Sequence, residues 1–253
     1  MLLQYASDLH LEFPSNKIYL GPKPLEPLAD HLILAGDIMP LAQMEKHVDF
    51  FDYLSGHFKQ TYWLMGNHEH YGSDISNFSG HTNQQIRHNI HLVNNHTVEI
   101  QGVRIIFSTL WTKIGSRNQQ EIERRLTDFR KVKYKGKRFN TDVFNQLHLE
   151  CLDYIKSQMQ LAKSASTIVI THHVPTFLHY PEKYKESVLN EGFGVELSSW
   201  VASNGPDFWI YGHHHNNTPD FTIGKTLMLT NQLGYVERGE HKNFSRNRVL
   251  DIE

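Results

Sequence analysis

Residues 61–69 read Thr-Tyr-Trp-Leu-Met-Gly-Asn-His-Glu (TYWLMGNHE), a short apolar run that ends in a glycine and a polar cluster. A run of five apolar or β-branched residues bounded by glycine and polar residues is typical of a buried strand. We therefore predict a strand over Thr61–Met65, with the polar cluster Gly66-Asn67-His68-Glu69 at its carboxyl end.

The same pattern recurs four more times along the chain. The runs are Leu2–Ala6 before Ser7-Asp8-Leu9-His10, His31–Ala35 before Gly36-Asp37, Thr167–Thr171 before His172-His173, and Asp207–Tyr211 before Gly212-His213-His214-His215. In open α/β sheets, ligands collect in the crevice beyond the carboxyl ends of the strands. We therefore expect the five polar clusters to meet at one site.

Helical periodicities lie between the strand signals and predict the fold class. The apolar positions are Val48, Phe51, Leu54 and Phe58 in one stretch, and Phe144, Leu147, Cys151, Ile155 and Met159 in another. Further strands are predicted as a hairpin of Thr97–Ile100 with Val103–Ser108, and as closing strands over Thr226–Thr230 and Arg248–Ile252. Alternating strands and helices predict an α/β fold, a layered β-sandwich of mixed sheets flanked by helices. Without repeats or a linker, one domain over residues 1–253 is expected.

Amino-acid composition favours metal chemistry and gives no sign of a nucleic-acid-binding or membrane-spanning protein. The 253 residues include 18 histidines, and because histidine is the commonest metal ligand this excess favours metal chemistry. A net charge of −2 points to neither nucleic acid nor membrane, and no apolar run approaches transmembrane length. The single cysteine, Cys151, excludes an intrachain disulfide and favours a reducing compartment, so we expect a cytoplasmic protein.

Taken in order, the five clusters resemble the calcineurin-like metallophosphoesterase superfamily. The superfamily pattern is D-x-H, G-D, G-N-H-[DE], H and G-H-x-H, and residues 8–215 match every block without substitution. Trp111-Thr112 and Asp128-Phe129-Arg130 are similar to segments of small bacterial and phage members. The resemblance implies the four-layer fold of that superfamily, which agrees with the layered α/β expectation.

The resemblance also implies a site for two metal ions. Asp8, His10, Asp37 and His215 would hold one ion, and Asp37, Asn67, His172 and His213 the other, so that Asp37 bridges. Oxygen and imidazole donors without thiolate suit Mn, Fe, Zn, Ni or Co, with manganese favoured. Alternate residues of an extended chain share a direction, which would turn both members of each D-x-H or H-x-H pair to the site.

Two such ions fit phosphate ester hydrolysis. Metals about 4 Å apart hold the attacking and leaving oxygens of an in-line displacement and lower the pKa of bound water. Only two of the implied ligands, Asp8 and Asp37, are anionic, so the cluster stays positive and favours a phosphoryl group. In the superfamily pattern His68 is not a ligand, and we expect it to protonate the leaving oxygen. Glu69 is expected to orient His68 by accepting from its other ring nitrogen.

A basic segment, residues 113–140, is a candidate lid over this site. Its ten basic residues against three acidic ones give a local charge of +7, while the rest of the chain carries −9. If the segment overhangs the metals, Arg125 and Arg130 are expected to bind substrate phosphate. A solvated basic loop is the alternative.

The predicted function is dinuclear metal-dependent hydrolysis of a small phosphomonoester or phosphodiester, such as a nucleotide, by a metal-activated water. The alternatives are a metal-dependent nuclease, a protein phosphatase, or a non-catalytic scaffold of the same fold. The modest net charge argues against nucleic acid as the partner, and only the basic segment supports it. No residue pattern predicts the oligomeric state.

Overall fold

The computed structural model describes residues 1–78, 80–161 and 166–252. Its strands, in chain order, are β1 (Leu2–Ala6), β2 (His31–Ala35), β3 (Gln60–Leu64), β4 (Thr82–Arg87), β5 (Ile90–Asn94), β6 (His96–Ile100), β7 (Val103–Ser108), β8 (Lys133–Tyr134), β9 (Lys137–Arg138), β10 (Ser166–Thr171), β11 (Phe208–Ile210), β12 (Phe221–Ile223), β13 (Thr226–Leu229) and β14 (Val249–Asp251). Twelve of these strands form two six-stranded sheets, and β8 and β9 form a separate hairpin.

The two sheets are built alike. The first has the order β14-β1-β2-β3-β5-β4 and the second the order β12-β13-β11-β10-β7-β6. In each sheet the four central strands are parallel, and an antiparallel strand closes both edges. Because parallel strands end at the same edge, β1, β2, β3, β10 and β11 present their carboxyl ends and the following loops together.

Helices cover the outer faces of the sheets. The α-helices are α1 (Pro14–Leu20), α2 (Val48–His57), α3 (Gln119–Arg125), α4 (Asp128–Lys131), α5 (Thr141–Gln160) and α6 (Ser198–Asn204). Short 3-10 helices are Leu41–His47, His68–His70, Ile75–Asn77, Glu182–Tyr184, Val188–Gly192, Val236–Arg238 and Glu240–Asn243. The longest helix, α5, begins after Asn140, whose side chain accepts from the Val143 backbone N–H and so caps the first turn.

Alternation along the strands divides the core into layers. In β2, Ile33 and Ala35 join the apolar cluster between the sheets, whereas Leu32 and Leu34 join the cluster under α2. A third cluster lies between the second sheet and the helices α5 and α6. The chain therefore has four layers, helices, sheet, sheet and helices, and the predicted fold class is confirmed.

The predicted strands are confirmed to within about one residue at each end, and the two predicted helices correspond to α2 and α5. The strand predicted over Thr61–Met65 runs from Gln60 to Leu64, and the one predicted over Asp207–Tyr211 is shortened to Phe208–Ile210. Several short or edge elements were not predicted, namely β4, β5, β8, β9, β12, α1, α3, α4 and α6. No helix in the described parts of the chain is long and apolar enough to cross a membrane.

Candidate metal centre

The loops after five strands bring the seven expected ligands to one edge of the two sheets. Their backbone is not the extended chain that the sequence analysis assumed. The dihedral φ is +56° at Asp8, +49° at His10, +55° at Asp37, +78° at His213 and +50° at His215. Non-glycine residues with positive φ are uncommon and cluster at functional sites. The expectation of shared direction therefore holds for a different reason, since left-handed turns rather than strand alternation aim these side chains.

The first group of ligands consists of Asp8, His10, Asp37 and His215. His10 Nε2 lies 2.9 Å from His215 Nε2, which in turn lies 3.3 Å from Asp8 Oδ1. On the far side of the rings, Nδ1 of His10 is 3.1 Å from Glu12 Oε1, and Nδ1 of His215 is 2.7 Å from Glu240 Oε2. A carboxylate only accepts, so each Nδ1 donates. Burial lowers the pKa of His215, but the Asp8 and Glu240 carboxylates raise it to about 9, so its Nε2 holds a proton that a bound metal would displace. With that proton displaced, both neutral rings turn their Nε2 lone pairs to each other.

Such facing lone pairs repel each other unless a cation lies among them. Histidines that bind metals generally donate their other ring N–H to a carboxylate or carbonyl in this way. Two ligand atoms at about 2.1 Å from an ion and at right angles to each other lie about 3.0 Å apart. The 2.9 Å separation of the two Nε2 atoms fits that arrangement. The donor set of the first group therefore fits a divalent transition metal.

The second group of ligands consists of Asp37, Asn67, His172 and His213, with His172 at its centre. Its Nδ1 lies 3.0 Å from the Ala35 carbonyl oxygen and must donate to it. Its Nε2 faces His213 Nδ1 at 3.0 Å, Asn67 Oδ1 at 3.1 Å and Asp37 Oδ1 at 3.3 Å. Burial lowers the pKa of His172, but the Asp37 carboxylate outweighs it and raises the pKa to about 9. A cation bound among these acceptors would displace that proton.

Asp37 belongs to both groups. Its Oδ1 lies 3.3 Å from His172 Nε2, and its Oδ2 lies 3.9 Å from His10 Nε2. The same Oδ2 is 3.9 Å from His68 Nε2. The carboxylate, 1% exposed as a residue, thus turns one oxygen to each group.

A buried carboxylate that was not predicted orients the amide ligand. Asn67 Nδ2 donates to Asp128 Oδ1 at 2.8 Å, which turns its Oδ1 to His172. The hydroxyl of Tyr71 donates to the same Asp128 oxygen at 2.6 Å, and its ring stacks on His68 at 4.1 Å between centroids. Asp128 is 3% exposed and stands in the D-F-R segment.

His68 lies beside the groups, as expected, but its partner is Glu12. His68 Nδ1 is 2.7 Å from Glu12 Oε1, the oxygen that also accepts from His10. Burial raises the pKa of Glu12, but the hydrogen bonds from both histidines have the larger, opposite effect. The resulting pKa is about 2, below the usual value for glutamate. Burial lowers the pKa of His68, but the Asp37 and Glu12 carboxylates together raise it above its usual value. Glu12 therefore remains ionised and holds the His68 ring with Nε2 towards Asp37.

The expectation that Glu69 orients His68 is corrected. Glu69 is fully buried, and its two oxygens accept from four other N–H groups. The donors are the backbone N–H groups of Asp37, Ile38 and Gly66 and the indole of Trp63, at 2.7–3.0 Å. Burial and the Asp37 charge raise the pKa of Glu69 to about 7, yet four donors require the ionised form. Glu69 thus ties the loop after β2 to the loop after β3.

Two glycines of the motifs leave room for the ligands. A Cβ on Gly36 would lie 2.4 Å from His172 Nδ1, and one on Gly66 would lie 2.3 Å from Asp37 Oδ1. Gly36 also has φ of +91°, which disfavours any other residue. The glycines of the Gly-Asp and Gly-Asn-His motifs therefore allow the ligand side chains of His172 and Asp37 to pack directly against the backbone.

The remaining histidines near the site point elsewhere. His173 Nδ1 lies 3.2 Å from the Thr109 carbonyl, and its ring packs near Trp111. His214 Nδ1 lies within hydrogen-bonding distance of the Gln232 side chain, and its ring stacks on Tyr180. His70 is buried between aromatic rings.

A cavity of about 660 Å³ opens over the two groups. His68, His213 and His215 line its floor, with the aromatic rings of Phe13, Tyr71, Phe193 and Tyr235 and the cations Lys131 and Arg238 around it. Ligand pockets of about 300–1,000 Å³ suit small molecules. The cavity is therefore large enough for a nucleotide-sized substrate.

The basic segment borders this cavity, but not through the arginines that were expected to bind substrate. Arg125 Nη1 pairs with Glu121 at 2.9 Å on an exposed face of α3, and Arg130 Nη1 donates to the Arg124 carbonyl. Thr127, Asp128 and Lys131 line the cavity instead. The expectation for Arg125 and Arg130 is corrected, because α3 and α4 turn both guanidinium groups outwards.

Comparison with known proteins decides the family. The family model for calcineurin-like phosphoesterases matches residues 5–217, which includes all seven expected ligands. The chain belongs to the calcineurin-like phosphoesterase family. It is accordingly a phosphoric ester hydrolase that depends on metal, and the resemblance seen in the motifs is confirmed.

One relative and two solved structures match this calcineurin-like phosphoesterase over nearly its whole length. An uncharacterized protein, L509, of Acanthamoeba polyphaga mimivirus is 31% identical over 280 aligned residues, covering 100% of this chain and 97% of the relative. The crystal structure of phosphopantetheinyl hydrolase from Mycobacterium tuberculosis is similar with a TM-score of 0.70 at 16% identity, covering 99% of this chain and 96% of that one. A dimetal phosphatase from Danio rerio has a TM-score of 0.50 at 11% identity, covering 99% and 98%. These solved structures share the fold.

Proposed function

We propose that this phosphoesterase hydrolyses a small phosphomonoester or phosphodiester, such as a nucleotide, at a site for two metal ions. The observation that supports this most is the position of Asp37, whose two oxygens face the two groups of ligands. A single-metal site would need no shared carboxylate. Residues 1–253 would then form one catalytic domain, since the apolar cluster between the sheets draws on Leu3 and Leu250 from opposite ends of the chain.

The chemistry divides between the metals and His68. Two divalent cations, with manganese favoured over iron, zinc, nickel and cobalt, would supply positive charge for the phosphoryl oxygens and lower the pKa of the attacking water. His68 lines the cavity, and its Nε2 faces Asp37. Because Glu12 occupies Nδ1, the proton that a doubly protonated His68 gives to the leaving oxygen comes from Nε2. The leaving group then departs as a neutral alcohol.

Glu12 acts as the positioning residue for this acid. Its Oε1 accepts from both His68 and His10, so one carboxylate sets the acid and a metal ligand relative to each other. Preorganised groups of this kind cost no rearrangement when charge develops in the transition state. Tyr71 supports the arrangement from the other face of the His68 ring, where it stacks.

The cavity supports esters with a bulky or planar leaving part. Aromatic rings line its wall, and its volume of about 660 Å³ exceeds that of a phosphate group alone. The likeness to phosphopantetheinyl hydrolase adds a phosphopantetheinyl ester to the substrates worth testing. Lys131 and Arg238 at the cavity favour anionic over neutral substrates.

A substrate panel with the manganese-loaded protein tests this proposal. The panel would contain nitrophenyl monoester and diester, nucleotides, cyclic nucleotides and a phosphopantetheinyl ester. We expect hydrolysis that a chelator abolishes and added Mn²⁺ restores, while Asp37→Asn stays inactive with the same metal. A protein that carries two metal ions and hydrolyses no ester of the panel would contradict the proposal.

A further inference from the structure

The basic segment forms an exposed cationic surface whose acidic residues are occupied elsewhere. All ten of its basic residues, Lys113, Arg117, Arg124, Arg125, Arg130, Lys131, Lys133, Lys135, Lys137 and Arg138, are exposed. Of its acidic residues, Asp128 is buried against Asn67, and Glu123 accepts from the Thr141 backbone N–H at 2.8 Å. Only Glu121 pairs with one of the ten, Arg125. Within the described residues, the other nine have no carboxylate within ion-pair distance.

The hairpin of β8 and β9, here called the basic hairpin, carries several of these cations close together, and their mutual repulsion destabilises it. Lys133 lies directly opposite Arg138 in the antiparallel pair, and Lys135 stands in the turn between the strands. Like charges directly opposite each other destabilise a pair of strands. An external anion that sits between them would remove this repulsion, so the arrangement indicates a surface for a negatively charged ligand.

Anchors outside the basic hairpin hold it in place. The carboxylate of Asp74 accepts from the backbone N–H groups of Lys135 at 3.0 Å and Gly136 at 2.6 Å. The Lys133 backbone N–H donates to the Ser73 carbonyl at 3.0 Å. Asp74 engages only backbone groups of the hairpin, so it does not neutralise the exposed lysines, and the Lys135 ammonium lies 5.1 Å from the centroid of the Tyr134 ring. The basic hairpin therefore presents its charge from a defined position.

This surface begins at the active-site cavity. Lys131 lines the cavity, and its carbonyl accepts from the Gly72 backbone N–H at 2.9 Å, which ties it to the loop after His68. Val132 continues the chain in an extended conformation, so Lys133 follows Lys131 at a Cα separation of about 7 Å. Cations thus continue from the rim of the cavity onto the basic hairpin without interruption.

We infer that the substrate is single-stranded nucleic acid, with one phosphodiester at the metal site and neighbouring phosphates on Lys131 and the basic hairpin. This inference rests on the proposed function: it keeps the phosphodiester hydrolysis at the metal site and extends the substrate from a small ester to a strand that reaches beyond the cavity. A nucleic acid strand supplies both the scissile ester and a row of phosphates, whereas an acidic peptide supplies only negative charge. Phe13, which is 38% exposed, offers a ring at the cavity on which a base can stack.

Neutralising the basic hairpin tests the inference. The triple variant Lys133→Gln/Lys135→Gln/Arg138→Gln is compared with Lys23→Gln/Lys46→Gln/Lys183→Gln, which removes three exposed lysines elsewhere. Fluorescence anisotropy of a labelled ten-residue oligothymidylate measures affinity, and nitrophenyl ester hydrolysis measures the intact metal site. Each phosphate contact with a single strand contributes about −0.7 to the slope of log affinity against log salt concentration.

We expect the hairpin variant to bind the oligonucleotide at least about 10-fold more weakly at 50 mM salt, with a slope shallower by about 2. Nitrophenyl ester hydrolysis should be unchanged, and the control variant should match the wild type. Lys131→Gln should weaken binding as well, in a protein whose hairpin is untouched. Equal affinity and slope in wild type and hairpin variant would overturn the inference, as would tighter binding of poly-glutamate than of the oligonucleotide. If the metal-loaded wild type hydrolyses nitrophenyl ester but does not bind the strand, this inference alone is refuted. If the metal-loaded wild type hydrolyses no ester at all, the proposed function is refuted.

Discussion

Replacing Glu12 by glutamine should impair the acid more than the metal site. Burial raises the pKa of Glu12, but the hydrogen bonds from two histidines hold the pKa at about 2, against an ordinary 4.5, a net shift of about 3 kcal/mol. An equal division between the two histidines assigns about 1.5 kcal/mol to His68, and the loss of that amount would lower kcat roughly tenfold where a proton is needed. We therefore expect about a tenfold loss on an alkyl ester, whose alkoxide departs poorly. On a nitrophenyl ester, whose leaving anion is stable, the loss should be clearly smaller.

The control for this experiment is Glu240→Gln. Glu240 holds Nδ1 of the expected ligand His215 at 2.7 Å, just as Glu12 holds His10, but the carboxylate that His68 contacts is Glu12. Glu240→Gln should therefore affect both esters equally. Metal content, measured on every variant, separates lost metal from lost proton transfer.

The acid itself provides the second arm of this test. General acid catalysis contributes about 10²–10⁴-fold, so His68→Ala should lower kcat on the alkyl ester by that factor with metal content unchanged. In the His68→Ala background, adding Glu12→Gln should leave the ratio of the two esters as it was. If Glu12→Gln still shifts that ratio without His68, or if it lowers both rates equally in the wild type, the positioning role is refuted.

Three further predictions concern the ligands and their supports. Asp37→Ala should lose both metals on desalting, whereas Asp8→Ala should lose one, because only Asp37 belongs to both groups; equal losses in elemental analysis would count against the bridge. Glu69→Gln should lower the free energy of unfolding in urea by about 2–4 kcal/mol, since the amide leaves buried N–H donors without an acceptor. A stable Glu69→Gln protein with a loss selective for alkyl esters would instead restore a role in orienting the acid. Arg125→Gln/Arg130→Gln should leave KM for small esters unchanged, since neither guanidinium lines the cavity, and a raised KM in steady-state kinetics would reject that placement.

The fold was predictable wherever burial left its mark on the sequence. Central strands such as β2 and β10 are buried on both faces and therefore read as continuous apolar runs. The edge strand β4, with the sequence TNQQIR, has three exposed and three partly buried residues and no apolar pattern to recognise. Its pairing with β5 depends on the sheet that is already present, which is tertiary information.

The site was predictable in its ligands and less so in its supports. Motifs at strand ends indicate which side chains meet, but the turns that aim Asp8 and His10 are visible only in the backbone dihedrals. Glu12, two residues after His10, could have been suspected from that spacing. Asp128 and Glu240 contact Asn67 and His215 from distant parts of the chain, so no local pattern reveals them.

The number of metal ions per chain in a fully active preparation tests the central claim most directly. Elemental analysis alongside a titration of activity with Mn²⁺ measures it. Two groups of ligands that share Asp37 predict about two ions per chain, with activity rising until the second ion is bound. Full activity with one ion or fewer per chain would contradict the dinuclear site.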